Sequence, residues 1–351
     1  MDLEKLLVEA VASGASDVHV VVGQPPIVRI NTELVRSNCL PVTAEVAARL
    51  VRNLVGTRRY AQFLRRRDLD FSTEVPGTGR FRVNAHFQKD TVAISFRAIP
   101  KQVPALASLN LPGVITTLTD MPRGLVLVTG ETGAGKSTTL AAMIDAMNHK
   151  YGYHVITLED PIEYELTPDK CIIEQREVGS DVPHFASGLR HVLRQDPDII
   201  LVGEMRDLET TSAAITAAET GHLVLSTLHT QSAAQTVERI IDIYPAEQQN
   251  QIRTMLADTL QAVITQTLFK RIDQAGMVPA AEVMLCTSAV RACIRENRVF
   301  EIPNIIQTSA AKGMLTLDQS IKQLFLNGYI SRDDALAKAS LRDWLRQTLS
   351  A

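Results

Sequence analysis

Leu125-Val126-Leu127-Val128-Thr129-Gly130-Glu131-Thr132-Gly133-Ala134-Gly135-Lys136-Ser137-Thr138 decides the reading of this 351-residue chain. An apolar run of strand length enters a GxxxxGK[ST] loop, and the loop opens a helical pattern over Ser137–Asn148. That strand–loop–helix context is the one in which this spacing forms a phosphate-binding P-loop. Glycines let the backbone wrap, so the N–H groups from Gly130 to Thr138 and the N-terminus of the helix face phosphate oxygens. Lys136 is then placed to reach the β- and γ-phosphates of ATP, and the Ser137 hydroxyl to hold Mg²⁺.

Phosphate binding alone is not hydrolysis, so the acids downstream matter. Asp198-Ile199-Ile200-Leu201-Val202-Gly203-Glu204 is a buried-strand pattern ending in a carboxylate, as a Walker B segment should. An acid at the C-terminal end of a parallel strand lies beside the P-loop crevice, where it can orient water or Mg²⁺. Between these two strands in sequence comes His154–Leu158, running into Glu159-Asp160-Pro161-Ile162-Glu163. It is expected to be the inserted strand of a RecA-like sheet, and its three carboxylates supply a candidate general base. Two histidines flank a fourth strand in Thr220-Gly221-His222-Leu223-Val224-Leu225-Ser226-Thr227-Leu228-His229-Thr230. Seven extended residues cover about 23 Å, which argues against a shared metal ion. The polar end, Ser226, Thr227 and His229, is expected to act as a sensor near the γ-phosphate.

Outward from this core the chain separates into parts. Strand runs at Leu125–Thr129, Val155–Leu158, Ile199–Val202 and Leu223–Thr227 alternate with helical patterns at Phe185–Leu193 and Leu208–Glu219. Such alternation implies an α/β domain with a parallel sheet, placed at residues 124–272. A mostly helical region, 273–351, follows, with a short hairpin between Val263 and Met284 across the boundary. Ahead of the core, Pro100, Pro104, Pro112 and Pro122 mark a linker at 99–123. Residues 1–98 show alternating runs at Asp17–Val22, Ile27–Ile30, Asp70–Glu74, Arg80–Phe87 and Val92–Arg97, with helical patterns at Leu3–Ala12 and Ala44–Leu64. That is a smaller α+β domain.

Composition narrows the classes. No run approaches the 18 apolar residues of a membrane span, and acids stand where a signal peptide needs basic residues, so a cytoplasmic location is expected. Cys39, Cys171, Cys286 and Cys293 contain no CxxC pair and read as reduced core thiols. Net charge is −3, but residues 1–100 carry 14 Lys/Arg against 10 Asp/Glu, net +4, leaving 22 of the 36 bases and 29 of the 39 acids, net −7, for the remainder. A net-negative nucleotide domain disfavours a nucleic-acid translocase, which needs clustered Lys/Arg. The basic run Arg58-Arg59 and Arg65-Arg66-Arg67 reads instead as an exposed helix face or a subunit contact.

The stretch Leu193-Arg194-Gln195-Asp196-Pro197-Asp198-Ile199-Ile200-Leu201-Val202-Gly203-Glu204-Met205-Arg206-Asp207 resembles the signature of the secretion ATPases that power type II secretion and type IV pili. The P-loop, the acidic box Ile156–Glu163 and the histidine box Thr220–Thr230 agree with it. Ala15-Ser16-Asp17-Val18-His19-Val20, Arg80-Phe81-Arg82-Val83-Asn84-Ala85 and Phe96-Arg97-Ala98-Ile99-Pro100 are similar to elements of the branch that retracts pili in twitching motility. So is Ala289-Val290-Arg291-Ala292-Cys293-Ile294-Arg295-Glu296, which departs from the retraction motif at Val290, Ala292 and Cys293. The resemblance runs from about residue 3 to 340. It implies a homohexameric ring with an N-terminal PAS-like domain and a RecA-like domain, ATP and Mg²⁺ as ligands, and a place at the cytoplasmic face of the inner membrane. It also implies contact with an inner-membrane platform protein and with a paralogous retraction ATPase. Residue by residue, it makes Glu163 the general base, Glu204 the Walker B carboxylate, and His222 and His229 the histidine box. Arg80, Arg82 and Arg97 become candidate phosphate-facing arginines. The extension motor is the rival within the family; it usually carries an extra N-terminal domain and a four-cysteine zinc insertion, whereas this sequence begins almost directly at the family's core domain and has no CxxC pair, so retraction is expected.

Overall fold

Strict alternation of apolar and polar residues builds an antiparallel sheet in the first third of the chain. In order come α1 (Leu3–Ala12), β1 (Ala15–Val21), β2 (Ile27–Ile30), β3 (Glu33–Arg36), α2 (Ala44–Arg66), β4 (Asp68–Val75), β5 (Gly79–Gln88) and β6 (Thr91–Ala98). The sheet order is β3-β2-β1-β6-β5-β4. One face presents Val18, Val20, Phe81, Val83, Ile94 and Phe96 to a core closed by Leu7, Val51 and Phe63; the other is polar. β3 has no counterpart among the expected strands because all four of its residues are exposed, so no buried period marks it. Helix α2 contains a break at Gly56, whose φ of 71° is non-helical, and Arg58, Arg65, Arg66 and Arg67 are exposed at its far end.

This computed structural model describes residues 2–30, 33–100 and 102–348. It divides into two units, one running up to Gln102 and including Glu163–Glu165, the other comprising Val103–Ile162 and Leu166 onward. The stretch expected as a linker, 99–123, is therefore split. From Val103 it belongs to the second unit, where Leu106, Ile115 and Leu118 are buried and Val114–Leu118 forms α3. Prolines exclude long regular elements from a segment but do not keep its apolar side chains out of a core.

The second unit continues with β7 (Gly124–Thr129), α4 (Lys136–Lys150), β8 (His154–Glu159), β9 (Ile172–Glu177), α5 (Phe185–Val192), β10 (Ile199–Val202), α6 (Leu208–Glu219), β11 (Leu223–Leu228), α7 (Ala233–Asp242), α8 (Gln249–Thr259), β12 (Leu260–Lys270) and β13 (Met277–Leu285). Its seven strands lie in the order β13-β12-β7-β11-β10-β8-β9. Every pairing is parallel except that of β12 with β13. Every residue of β7, β10 and β11 is buried, as a sheet covered on both faces requires. One expectation is corrected here. The strand inserted between β7 and β10 is β11, not β8, which lies beyond β10. Parallel strands are joined by crossovers, so neighbours in sequence need not be neighbours in the sheet.

The carboxyl-terminal helices, α9 (Ser288–Arg295), α10 (Ile302–Thr308), α11 (Leu317–Leu326), α12 (Arg332–Lys338) and α13 (Arg342–Thr348), follow the sheet. Ile321, Leu324, Ile330 and Ala335 pack against Phe269, Val278 and Ala280 of the β12–β13 hairpin. The hairpin thus crosses residue 272 and joins the helical region to the sheet in one core. All four cysteines are free; Cys171, Cys286 and Cys293 are buried, whereas Cys39 is exposed, contrary to the expectation of a core thiol. Among the described residues no helix is long and apolar enough to cross a membrane.

Candidate functional site

The fully buried strand β7 delivers the chain to Gly130, where φ turns to 134° and a Cβ would lie 2.3 Å from the Gln266 carbonyl oxygen of β12. Only glycine fits there. The loop closes at Gly135, with φ 87°, directly before α4. Lys136 is 9% exposed, and its Nζ donates to the carbonyls of Gly130 (2.8 Å) and Glu131 (2.9 Å), folding the ammonium over the loop. Thr132 and Gly133 are exposed, Ala134 is buried, and Ser137 and Thr138 are half-buried in the first turn. Behind them Thr139 Oγ1 and the Gln266 side-chain amide exchange hydrogen bonds inside the core (3.1 and 2.9 Å). Thr129 and Thr265 pair through their hydroxyls at 2.9 Å. The P-loop is therefore bolted to β12 by polar contacts as well as by sheet pairing.

Glu204 follows β10, two residues past its end. Its Oε2 forms an ion pair with Arg206 Nε at 2.7 Å and lies 3.6 Å from His229 Nε2, with the side chain 20% exposed. The ends of β10 and β11 are laced together. Ser226 Oγ donates to Val202 O (2.7 Å), Thr227 Oγ1 to Gly203 O (2.6 Å), and Met205 N to Thr227 O (3.2 Å). Ser226 and Thr227, expected as sensing groups, spend their hydroxyl protons on that seam; of the three, His229 is the one that faces the carboxylate. Glu204 stands in the wall between two clefts. One, about 690 Å³, is lined by Arg206, Thr227, His229, Gln231 and Arg239. The other, about 480 Å³, is lined by Asp160, His184, Arg190 and Asp207. Gln231 Nε2 donates to Glu131 Oε1 at 3.0 Å, connecting the first cleft to the P-loop.

The acids after β8 spread out. Glu159 Oε1 accepts from Thr157 Oγ1 (2.6 Å) and Gln175 Nε2 (3.1 Å), which fastens it to the strand end. Asp160 and Glu163 are exposed, and Glu163 groups with the first unit. His222 stands at the opposite end of β11 from His229. Its Nδ1 lies 2.9 Å from Ala217 O and 3.3 Å from Thr220 Oγ1, at the turn leaving α6. The two histidines share no site, and among the described residues no group of three or more metal-ligating side chains exists. Mg²⁺ asks less of a protein, often one or two oxygens with phosphates supplying the rest. Ser137, half-buried in the first turn of α4, and Glu204, just past the end of β10, carry oxygens of that kind.

On the polar face of the first unit, Arg80 donates to Ser72 Oγ (2.7 Å), Arg82 is exposed, and Arg97 Nε bonds Asp17 Oδ1 at 2.9 Å. Arg82 and Arg97 are direct cross-strand partners. Within α9, Val290 and Ile294 are buried, while Arg291 donates to the carbonyls of Ala257 and Asp258 at the end of α8 and to Gln261 Oε1. Arg295 pairs with Asp258 at 2.7 Å. Arg291 thus caps α8, whereas Arg295 meets only an α8 side chain, and Ala289 and Glu296 remain exposed. The contacts of Arg206, Gln231 and Gln266 were not legible as a pattern. Arg206 stands in a quoted signature, but its partner is fixed by where β11 ends.

The profile of the family described as "Type II/IV secretion system protein" matches residues 1–302. The chain is 47% identical over 341 residues to the type IV pilus retraction ATPase PilT of Pseudomonas aeruginosa, spanning 97% of this chain and 99% of that one. It is 38% identical over 346 residues to the type IV pilus ATPase PilU of the same organism, with 99% and 91% covered. Among solved structures, the pilus retraction motor PilT with bound ADP superimposes with a TM-score of 0.92 at 40% identity over 99% of each chain.

Proposed function

The chain belongs to the type II/IV secretion system protein family, and on that premise we propose that it is a cytoplasmic, homohexameric, Mg²⁺-dependent ATPase that retracts type IV pili. The observation that carries this reading is end-to-end similarity to a pilus retraction ATPase in a chain whose own P-loop, strand-end carboxylate and histidine stand together. Phosphoryl transfer to water needs positioning and charge stabilisation more than covalent chemistry. Lys136 and the loop N–H groups hold the phosphates, and Ser137 with Glu204 hold the metal. Mg²⁺, when bound, neutralises charge on the phosphate oxygens. Glu163 takes a proton from the attacking water, and His229, beside Glu204, donates toward the γ-phosphate. Arg80, Arg82 and Arg97 offer guanidinium forks to the phosphates. The ring docks on an inner-membrane platform protein, and the energy of hydrolysis is spent on movement between the two units.

Deleting the gene and scoring pili tests the biological half: hyperpiliated cells that do not twitch support retraction, and bald cells indicate extension. The match to PilU over nearly the whole chain favours one second reading, an accessory retraction ATPase that works beside a primary one. In that case the deletion leaves pili retracting weakly, and overexpression of this chain alone does not restore a strain lacking the primary motor.

A further inference from the structure

We propose that Asp17 is a positioning residue that aims Arg97 at phosphate; this rests on the reading of Arg97 as a phosphate-facing residue. Strand β1 runs between β2 and β6, so Asp17 has Arg29 as its Cα partner on one side and Arg97 on the other. The register slips at Ser16, giving β1 two residues against one of β2 between Ala15 and Asp17. A bulge of this kind re-aims the side chains beside it. Here it lets Ser16 Oγ donate to Asp17 Oδ2 at 2.8 Å, while Oδ1 takes Arg97 Nε at 2.9 Å and Arg29 Nε stands 4.0 Å from Oδ2. The Asp17 side chain is 11% exposed and that of Arg97 67% exposed. Burial pushes the Asp17 carboxyl up, yet the hydrogen bonds from Arg97 and Ser16 and the arginine's charge bring it below the usual aspartate range.

The mode of contact matters more than its existence. A carboxylate that took the two terminal nitrogens of Arg97 would occupy the edge that reads phosphate bidentately. Asp17 instead takes Nε, so the root of the guanidinium is fixed and its terminal nitrogens are left for another acceptor. Holding an arginine this way removes part of its rotamer entropy before any ligand arrives. The neighbours agree with such a use. The row Arg82, Arg97, Asp17 and Arg29 crosses four adjacent strands on one polar face, with Arg82 and Arg97 directly opposite each other. Like charges so placed are unfavourable in a sheet, and an anion docking beside that pair relieves the repulsion.

The test is steady-state ATP hydrolysis by the full-length protein bearing Asp17→Asn, Arg97→Gln or both, with thermal melting recorded for each. Arg97→Gln is expected to lower kcat strongly. Asp17→Asn should lower kcat by roughly tenfold to a hundredfold, the scale of a misaimed catalytic contact, at a temperature where the variant is fully folded, and KM should change less. The double variant should be no slower than Arg97→Gln alone, because Asp17 acts through that side chain; Asp17→Glu should restore part of the loss. Should Asp17→Asn not fold, Asp17→Glu and Ser16→Ala read the same coupling. Wild-type kcat in folded Asp17→Asn, or full additivity in the double variant, overturns the positioning role and leaves Arg97's role standing. Wild-type kcat in Arg97→Gln overturns the reading of Arg97, and this proposal with it.

Discussion

Lys136 holds two carbonyls of its own loop, and a nucleotide that takes its ammonium must displace hydrogen bonds of 2.8 and 2.9 Å. Lys136→Ala should therefore abolish measurable turnover while leaving the protein folded, since the Glu131 carbonyl it frees belongs to an exposed residue. Gly130→Ala should do the reverse to the fold. The methyl would meet the Gln266 backbone at 2.3 Å, and a substitution at such a position costs of order 1–3 kcal/mol or more, read as an earlier midpoint in urea unfolding. Glu282 adds a pH signature. Burial raises its carboxyl above the ordinary range, nearby Asp318 raises it further, and the hydrogen bond from Ala233 N (2.7 Å) only partly offsets them. An acid with a raised folded value stabilises the fold below its unfolded value, about 4.3, and loses that stabilisation as pH climbs to the folded value. Glu282→Gln keeps an acceptor for Ala233 N–H, so it should melt higher than wild type at pH near 8 and converge with it near pH 4. Spacing made Lys136 and Glu204 legible in the sequence, because a loop and a strand end determine them locally. No local pattern could announce that His229 meets Glu204 or that Gln266 braces Thr139, since both contacts join segments distant in the chain.

Elements show the same division. Strands with a buried face, such as β5, β7 and β10, carry their period or their apolar run openly. β3 and β9 do not, being edge strands with at most one buried residue each. The order of strands was harder still, because the place of β11 beside β7 is set by crossover packing rather than by sequence succession. Helix α9 shows what such placement does to a motif. Its two arginines are engaged with the end of α8, so Arg291→Ala should lower stability by about 1–3 kcal/mol through unsatisfied carbonyls, measured by chemical unfolding. A loss of pilus retraction in that variant without any loss of stability would instead place Arg291 at an effector contact.

At the scale of the molecule, charge is distributed unevenly, +4 over residues 1–100 and −7 over the remainder. Opposite signs on two parts of one subunit favour head-to-tail docking between copies and help to fix its register. Raising ionic strength from roughly 0.05 to 0.5 M shortens the screening length several-fold, so assembly of the proposed ring, followed by light scattering, should weaken over that range; indifference to salt would make the asymmetry incidental. The two-part organisation was legible from the change of pattern near residue 100. The membership of Val103–Leu118 in the second unit was not, because burial of Leu106 and Leu118 is a property of partners far along the chain. One detail described above acquires a mechanical meaning here. The hydroxyls of Ser226 and Thr227 stitch the tip of β11 to that of β10, which makes the joint stiff in shear. Sliding one strand end past the other would break both bonds, so the seam holds His229 and Glu204 at a fixed separation.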